Sequence, residues 1–273
     1  MTFSLTEALL ASDADGFQRA TQSVFLQSAA QGTVDKATLG QWLANDRLYI
    51  LAYIQGIGKT LSVLPLPQTI PDHPPNDGGT ATTKLLDWLI DAMVNIRREE
   101  KFFVDTASRF GISVNLPSDV DGHVADSEKL EGLRRFESIF CGLGLGLGPS
   151  KSTRSSLLPW LECAVVFYAT EKCYLEAWTW AAGRSDLEGR SDGGCSGDAD
   201  GGALRREFIP NWTGAEFAAF VDRLGRIIDD AVKEELRDNG ESVKTELVDR
   251  ALVKWREVLA AEEAFWPVMQ FSS

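Results

Sequence analysis

The chain has 273 residues, with 27 Lys and Arg against 40 Asp and Glu, giving a formal net charge of −13 and a pI near 4.7. That balance argues against a nucleic-acid or anionic-membrane surface, because phosphate binding needs a basic footprint. A hydrophobic fraction of 44% is too high for a disordered chain, and this length suits one large domain or two small ones.

Apolar residues recur at helical spacing in six long segments and alternate strictly in none. In chain order the predicted helices cover 14–30, 36–63, 83–110, 128–141, 155–182 and 214–268. The last must break at Asn239-Gly240, a helix-stop signal, and so makes two helices. Turn-rich stretches at 65–79, 111–122, 141–149 and 183–202 separate them. The Gly-Leu alternation from Cys141 to Pro149 lacks a G-x-G-x-x-G opening a basic helix, and it lacks G-x-x-x-x-G-K-[ST]. It reads as a connector rather than a phosphate loop. The stretch from Gly183 to Gly202 carries Gly, Asp, Ser and Arg with almost no apolar residue, and reads as a mobile surface insertion. No internal repeat is present. Helices joined by short loops predict one all-α bundle over 1–273, with flexible segments at 141–152 and 183–203.

Cys141, Cys163, Cys173 and Cys195 form no C-x-x-C pair, and the first twenty residues hold no unbroken apolar run. No stretch of about 18 uncharged apolar residues exists. The expectation is a cytoplasmic protein with reduced thiols and no membrane span.

Four predicted helices each carry an acid inside an apolar stripe. Asp46 interrupts Leu39, Trp42, Leu43, Ile50, Tyr53 and Ile57; Glu99 interrupts Trp88, Ala92, Ile96, Phe103 and Phe110. Glu171 interrupts Trp160, Ala164, Phe167, Tyr168, Leu175 and Trp178, with Tyr174 beside it. Glu262 interrupts Trp255, Val258, Leu259, Phe265 and Trp266. Any one of these acids could sit at a stripe edge, reaching solvent or pairing with an Arg. Four together point instead to an aromatic-lined internal pocket with converging carboxyls, the common form of a small-molecule site in a bundle.

Two chemistries compete for such acids. A carboxylate-bridged di-metal centre needs Glu-x-x-His on two helices, but Glu99, Glu171 and Glu262 are followed three residues on by Phe102, Tyr174 and Phe265. The histidines, His73 and His123, fall in loop stretches, so no helix offers a haem ligand and neither metal nor cofactor is expected. The alternative is proton traffic around a flat polar heterocycle stacked on aromatic rings. Burial raises a carboxyl's pKa toward neutrality, so that one acid can donate while a neighbour stays ionised.

At this point the residues carry a family resemblance. The run from Gln31 to Tyr49, with Gln41-Trp42-Leu43-Ala44-Asn45-Asp46, resembles the helix-entry motif of the TenA/thiaminase II family. Four further stretches follow in family order. They are Glu99 and Phe103 ahead of Phe110-Gly111-Ile112, the helix from Phe167 through Glu171 and Tyr174 to Trp178, Pro210-Asn211-Trp212 followed by Phe217, and Glu262-Glu263-Ala264-Phe265-Trp266. The second of these resembles the cysteine-less, plant and fungal-type branch. The thiol position of the other branch falls near Ala164 or Val165, with Cys163 on a different face.

The resemblance implies a haem-oxygenase-like all-α fold without haem. It also implies hydrolysis of aminomethyl- or formylaminomethyl-pyrimidines to hydroxymethylpyrimidine in thiamin salvage, by a homodimer or homotetramer. On that resemblance Asp46 would bind the ring's amino group, Glu262 would be the acid/base at the ring nitrogen, and Glu171 would activate water. Tyr49, Phe103, Phe136, Phe167, Tyr174, Trp212 and Trp266 would wall the pocket, with Glu99 supporting it. Phe136 stands where the family's pocket tyrosine is expected. Two alternatives share the fold: a non-catalytic pyrimidine-binding or regulatory module, and a PqqC-type cofactor-free oxidase, which would be expected to use pocket histidines.

Overall fold

In a computed structural model, the structure describes residues 3–69, 79–144, 157–185, 195 and 197–269. Its described residues form ten α-helices and no strand. The helices are α1 (Leu5–Ser12), α2 (Ala14–Thr21), α3 (Val24–Gln31), α4 (Lys36–Val63), α5 (Ala81–Arg109), α6 (Glu131–Gly142), α7 (Leu161–Ala182), α8 (Ile209–Trp212), α9 (Ala215–Asn239) and α10 (Lys244–Glu263).

The boundaries follow local chemistry. Ser4, Asp13, Ser23, Asp35 and Thr80 each cap the next helix by accepting a backbone N–H two or three residues into it. The predicted 14–30 helix is therefore two helices, because Ser23 starts a new one after Gln22 leaves helical geometry. α1 escaped the sequence reading because it is short; it is held from outside, where Asp229 of α9 accepts from the Thr6 amide and from the Ser4 and Thr6 hydroxyls. Gly240, at φ 77°, ends α9 where expected.

α7 is the central rod, packed by α2, α3, α8, α9 and α10, while α4 is flanked by α5 and α6. One continuous hydrophobic core joins them. Its stripes are the ones the helical period marks: Leu39, Trp42, Leu43, Ile50, Tyr53 and Ile57 of α4 are all buried.

Two elements were not expected. Leu204–Phe208 forms a π-turn, in which the Ile209 amide donates to Leu204, five residues back, directly ahead of Pro210. Proline has no N–H to continue the helical ladder, and the backbone takes up the mismatch as one wider turn before α8. The second surprise lies in the supposed mobile insertion. Its described end, 197–203, is packed: Asp200 is buried and accepts the Gly202 and Leu204 amides, and Asp198 makes a buried ion pair with Arg205. At that end of the 183–203 stretch Asp200 thus serves as an internal cap and Asp198 as an ion-pair partner. Of the two segments, residues 145–152, 186–194 and 196 lie outside the described residues. Gly32, at φ +71°, closes α3 against this pair; a Cβ there would stand 2.4 Å from Asp198 Oδ1.

Candidate functional site

A cavity of about 710 Å³ opens between α4, α5, α7 and the α8–α9 corner. α4 supplies Asp46, Tyr49 and Ile50; α5 supplies Asn95, Arg98, Glu99 and Phe102; α7 supplies Thr170, Glu171 and Tyr174. The corner adds Asn211, Trp212, Phe217 and Phe220. Three of the four sequence-marked acids, from three helices, therefore meet on one wall system, because each occupies the core-facing stripe of its own helix.

Each acid sits in a different environment. Asp46 is only 5% exposed and accepts no hydrogen bond among the described residues; burial, with the Glu99 charge second, pushes its carboxyl from 3.8 up to about 8. Glu171 takes a 2.5 Å hydrogen bond from the buried Tyr53 hydroxyl. Burial raises Glu171 from 4.5 to about 7, the Tyr53 donor opposing the rise. Glu99 is clamped by Trp212 Nε1 at 2.5 Å and Asn211 Nδ2 at 3.0 Å. Burial still raises its pKa, while those donors and Arg98 pull it back.

Six of the expected site residues line the cavity: Asp46, Tyr49, Glu99, Glu171, Tyr174 and Trp212. Five do not, and the corrections have physical causes. Phe103 is fully buried in the core one turn past Glu99, and Phe102 takes the wall position. Phe136 packs edge-on against Tyr49, with ring centroids 4.9 Å apart, and does not line the cavity. Phe167 packs edge-on against Tyr53 at 5.0 Å. Trp266 stacks on Trp42 and donates to the Ala20 carbonyl at 2.7 Å, which makes it an anchor between α10 and α2. Glu262 is 3% exposed and stands off the cavity wall; it accepts no hydrogen bond among the described residues. Burial raises its pKa well above the usual range, and the Asp46 and Glu171 charges raise it further.

The sequence reading missed Tyr53 as a site residue. The signal was available, since Tyr53 follows Tyr49 by one turn and Asp46 by two, and a hydroxyl on a buried face needs a partner. It also missed Asn95, Arg98, Phe102, Asn211 and Phe220.

The chain is not cysteine-less: it has Cys141, exposed, and Cys163, Cys173 and Cys195, buried. The narrower statement is that no cysteine lines the cavity. Burial raises the Cys163 and Cys173 thiols, which disfavours their thiolates. Among the described residues no group of three or more His, Cys, Asp or Glu side chains is arranged for a metal ion, and no helix is long and apolar enough to cross a membrane. His123 is exposed in a loop, and His73 lies outside the described residues.

No family model matches the chain. A curated relative from Fusarium pseudograminearum, named "Probable transcription factor", is 25% identical over 281 residues, covering 93% of this chain. The chain spans about half, 51%, of that relative's length. Among solved structures, a TenA homologue from Pyrococcus furiosus superposes with a TM-score of 0.61 at 21% identity, covering 96% of this chain and 98% of that one. The helical bundle built around α7 accordingly has the haem-oxygenase-like fold of that TenA homologue.

Proposed function

We propose that the chain is a hydrolase of thiamin-derived aminopyrimidines, converting an aminomethyl- or formylaminomethyl-pyrimidine to hydroxymethylpyrimidine. The observation that carries this reading is the meeting of Asp46, Glu99 and Glu171 in one aromatic cavity, with Asp46 and Glu171 shifted to about 8 and about 7. Carboxyls that titrate near neutrality can exchange protons with a ring nitrogen, an exocyclic amine and water at working pH.

In this reading the pyrimidine lies among Tyr49, Tyr174, Trp212 and Phe217, with its amino group toward Asp46, whose oxygens lack a donor among the described residues. Ionised Glu171 takes a proton from water as the oxygen bonds to the methylene carbon. The carbon–nitrogen bond breaks with its electron pair on nitrogen, and a protonated carboxyl returns a proton to the departing amine. Proton transfer of this kind contributes roughly 10²–10⁴-fold at each step. Glu262, behind the wall, holds one proton of the set, because burial and the Asp46 and Glu171 charges raise its carboxyl well above the usual range.

Incubation of the protein with aminomethyl- and formylaminomethyl-pyrimidines, followed by mass spectrometry, tests the proposal. Formation of hydroxymethylpyrimidine supports it; binding without turnover refutes it. That second outcome would favour a pyrimidine-binding regulatory module, a reading in keeping with the name of the Fusarium relative. Assembly as a homodimer or homotetramer belongs to the same proposal, and light scattering on the purified chain decides it.

A further inference from the structure

The cavity has two unlike ends, with Glu171 between them. At one end Trp212 donates to Glu99, meets Tyr174 at 5.5 Å, and meets Trp42, one turn of α4 before Asp46, at 5.7 Å. A chain of ring contacts locates the other end. On α7, Phe167 comes one turn before Glu171 and Tyr174 one turn after it. On α9, Phe217 meets Tyr174 at 6.3 Å, while Phe220 stacks on Trp88 at 4.5 Å. Trp88 lies 6.1 Å from Phe167 and donates its N–H to the Phe220 carbonyl at 3.0 Å. Phe220 therefore stands on the Phe167 side of Glu171, away from Trp212. The same stretch of lining includes Ile50, on α4 between Asp46 and Tyr53, and Ala92 and Ile96, on α5 between Trp88 and Glu99. Of the polar groups beside them, the Thr170 hydroxyl donates to the Phe167 carbonyl at 2.9 Å, and Asn95 Oδ1 accepts from the exposed Arg98 at 2.7 Å.

With the ring toward Asp46 and the carbon–nitrogen bond breaking beside Glu171, whatever the departing nitrogen carries extends toward Ile50, Ala92, Ile96 and Phe220. Four apolar side chains there suit a hydrocarbon and disfavour a charge, which would lose its hydration without a partner. A volume of about 710 Å³ lies well inside the roughly 300–1,000 Å³ of pockets that enclose drug-sized ligands, and leaves room beyond a single ring. We propose that this apolar end receives an uncharged acyl group larger than formyl on the departing nitrogen, which makes N-acylaminomethyl-pyrimidines with hydrocarbon acyl chains the substrate class. The inference rests on the pyrimidine reading above. In the reaction the oxygen of water bonds to the methylene carbon as its proton passes to Glu171. The carbon–nitrogen bond breaks with its electron pair on nitrogen, which takes a proton from a carboxyl. The products are hydroxymethylpyrimidine and a primary amide.

The test is kcat/KM of the full chain on the aminomethyl-pyrimidine and its N-formyl, N-butyryl and N-succinyl derivatives, with products followed by mass spectrometry. Butyryl carries three more carbons than formyl, and a buried methylene is worth about fourfold, so the butyryl compound should be preferred at least about tenfold. The succinyl compound, of equal reach but ending in a carboxylate, should show no such gain. Ala92→Leu, which fills the apolar end, should bring the butyryl-to-formyl ratio to one or below. Ile96→Asn, at a half-buried position, should lower the same ratio by making that end polar, and serves if the first variant does not fold. A butyryl-to-formyl ratio near one, an equal gain for succinyl, a ratio that survives in a folded variant, or release of butyrate in place of butyramide would each overturn the inference. If the aminomethyl and formyl compounds react and the butyryl compound does not, this inference alone falls; if none reacts, the pyrimidine reading falls with it.

Discussion

Tyr53→Phe isolates one interaction in the site. Tyr53 is 1% exposed, and its hydroxyl donates to Glu171 Oε1 at 2.5 Å. The ring would be kept in place, since it packs edge-on against Phe140 at 5.5 Å and Phe167 at 5.0 Å. Only the donor is lost. A hydrogen bond to a charged group is worth about 1.5–3 kcal/mol net, which corresponds to roughly 1–2 pKa units. Glu171, at about 7 with the bond in place, should move up by that amount. At pH 7 the ionised fraction then drops from about one half to a few per cent, and turnover should fall by roughly 5- to 50-fold. The assay is the pH profile of kcat: the acidic limb should move about 1–2 units alkaline. A lower plateau with an unmoved limb would show that Tyr53 does not set the protonation of Glu171, and the proton-transfer scheme would lose its base.

Asp46→Asn tests the cost of holding an unpartnered carboxyl. Because its folded pKa is raised, the folded chain keeps a proton that the unfolded chain has released, so stability falls as pH rises from 3.8 to about 8. The substitution should therefore raise the unfolding free energy at pH 8.5 by on the order of 2–4 kcal/mol, read by chemical denaturation, and leave it nearly unchanged at pH 4; equal effects at both pH values would contradict the assigned burial. Glu262→Gln should abolish turnover while circular dichroism shows an intact fold, and retained activity would refute its part in the proton set. Cys163→Ala and Cys173→Ala should each keep turnover within a few-fold, measured by the same product assay, since neither thiol lines the cavity; loss of activity without loss of fold would restore a thiol nucleophile.

The acids were legible because helical spacing alone marks a charged residue on a buried stripe. Asp46, Glu99 and Glu171 stand out against Trp42, Ile96 and Trp178 without any knowledge of the bundle. The aromatic wall was less legible. Spacing says that Phe103, Phe136, Phe167 and Trp266 face inward, but a thick core has several layers, and inward for the last three means against Tyr49, Tyr53 and Trp42. Glu262 fell to the same ambiguity by a single layer. The π-turn before Pro210 could not be foreseen from propensity, because it lies between Pro210 and the backbone cap supplied by Asp200, with Asp198 paired to Arg205 inside it. Those two acids looked like solvent-facing residues in a Gly-rich stretch, and only their partners explain their burial.

Gly32 touches nothing in the cavity, yet a side chain there would collide with Asp198, which grips Arg205 inside the π-turn that leads to Trp212. A single added methyl group would thus push on a lever whose far arm is the indole bonded to Glu99. Selection screens that read only pocket-lining positions would overlook this one, although damage to it should register as altered ligand affinity before it registers as unfolding.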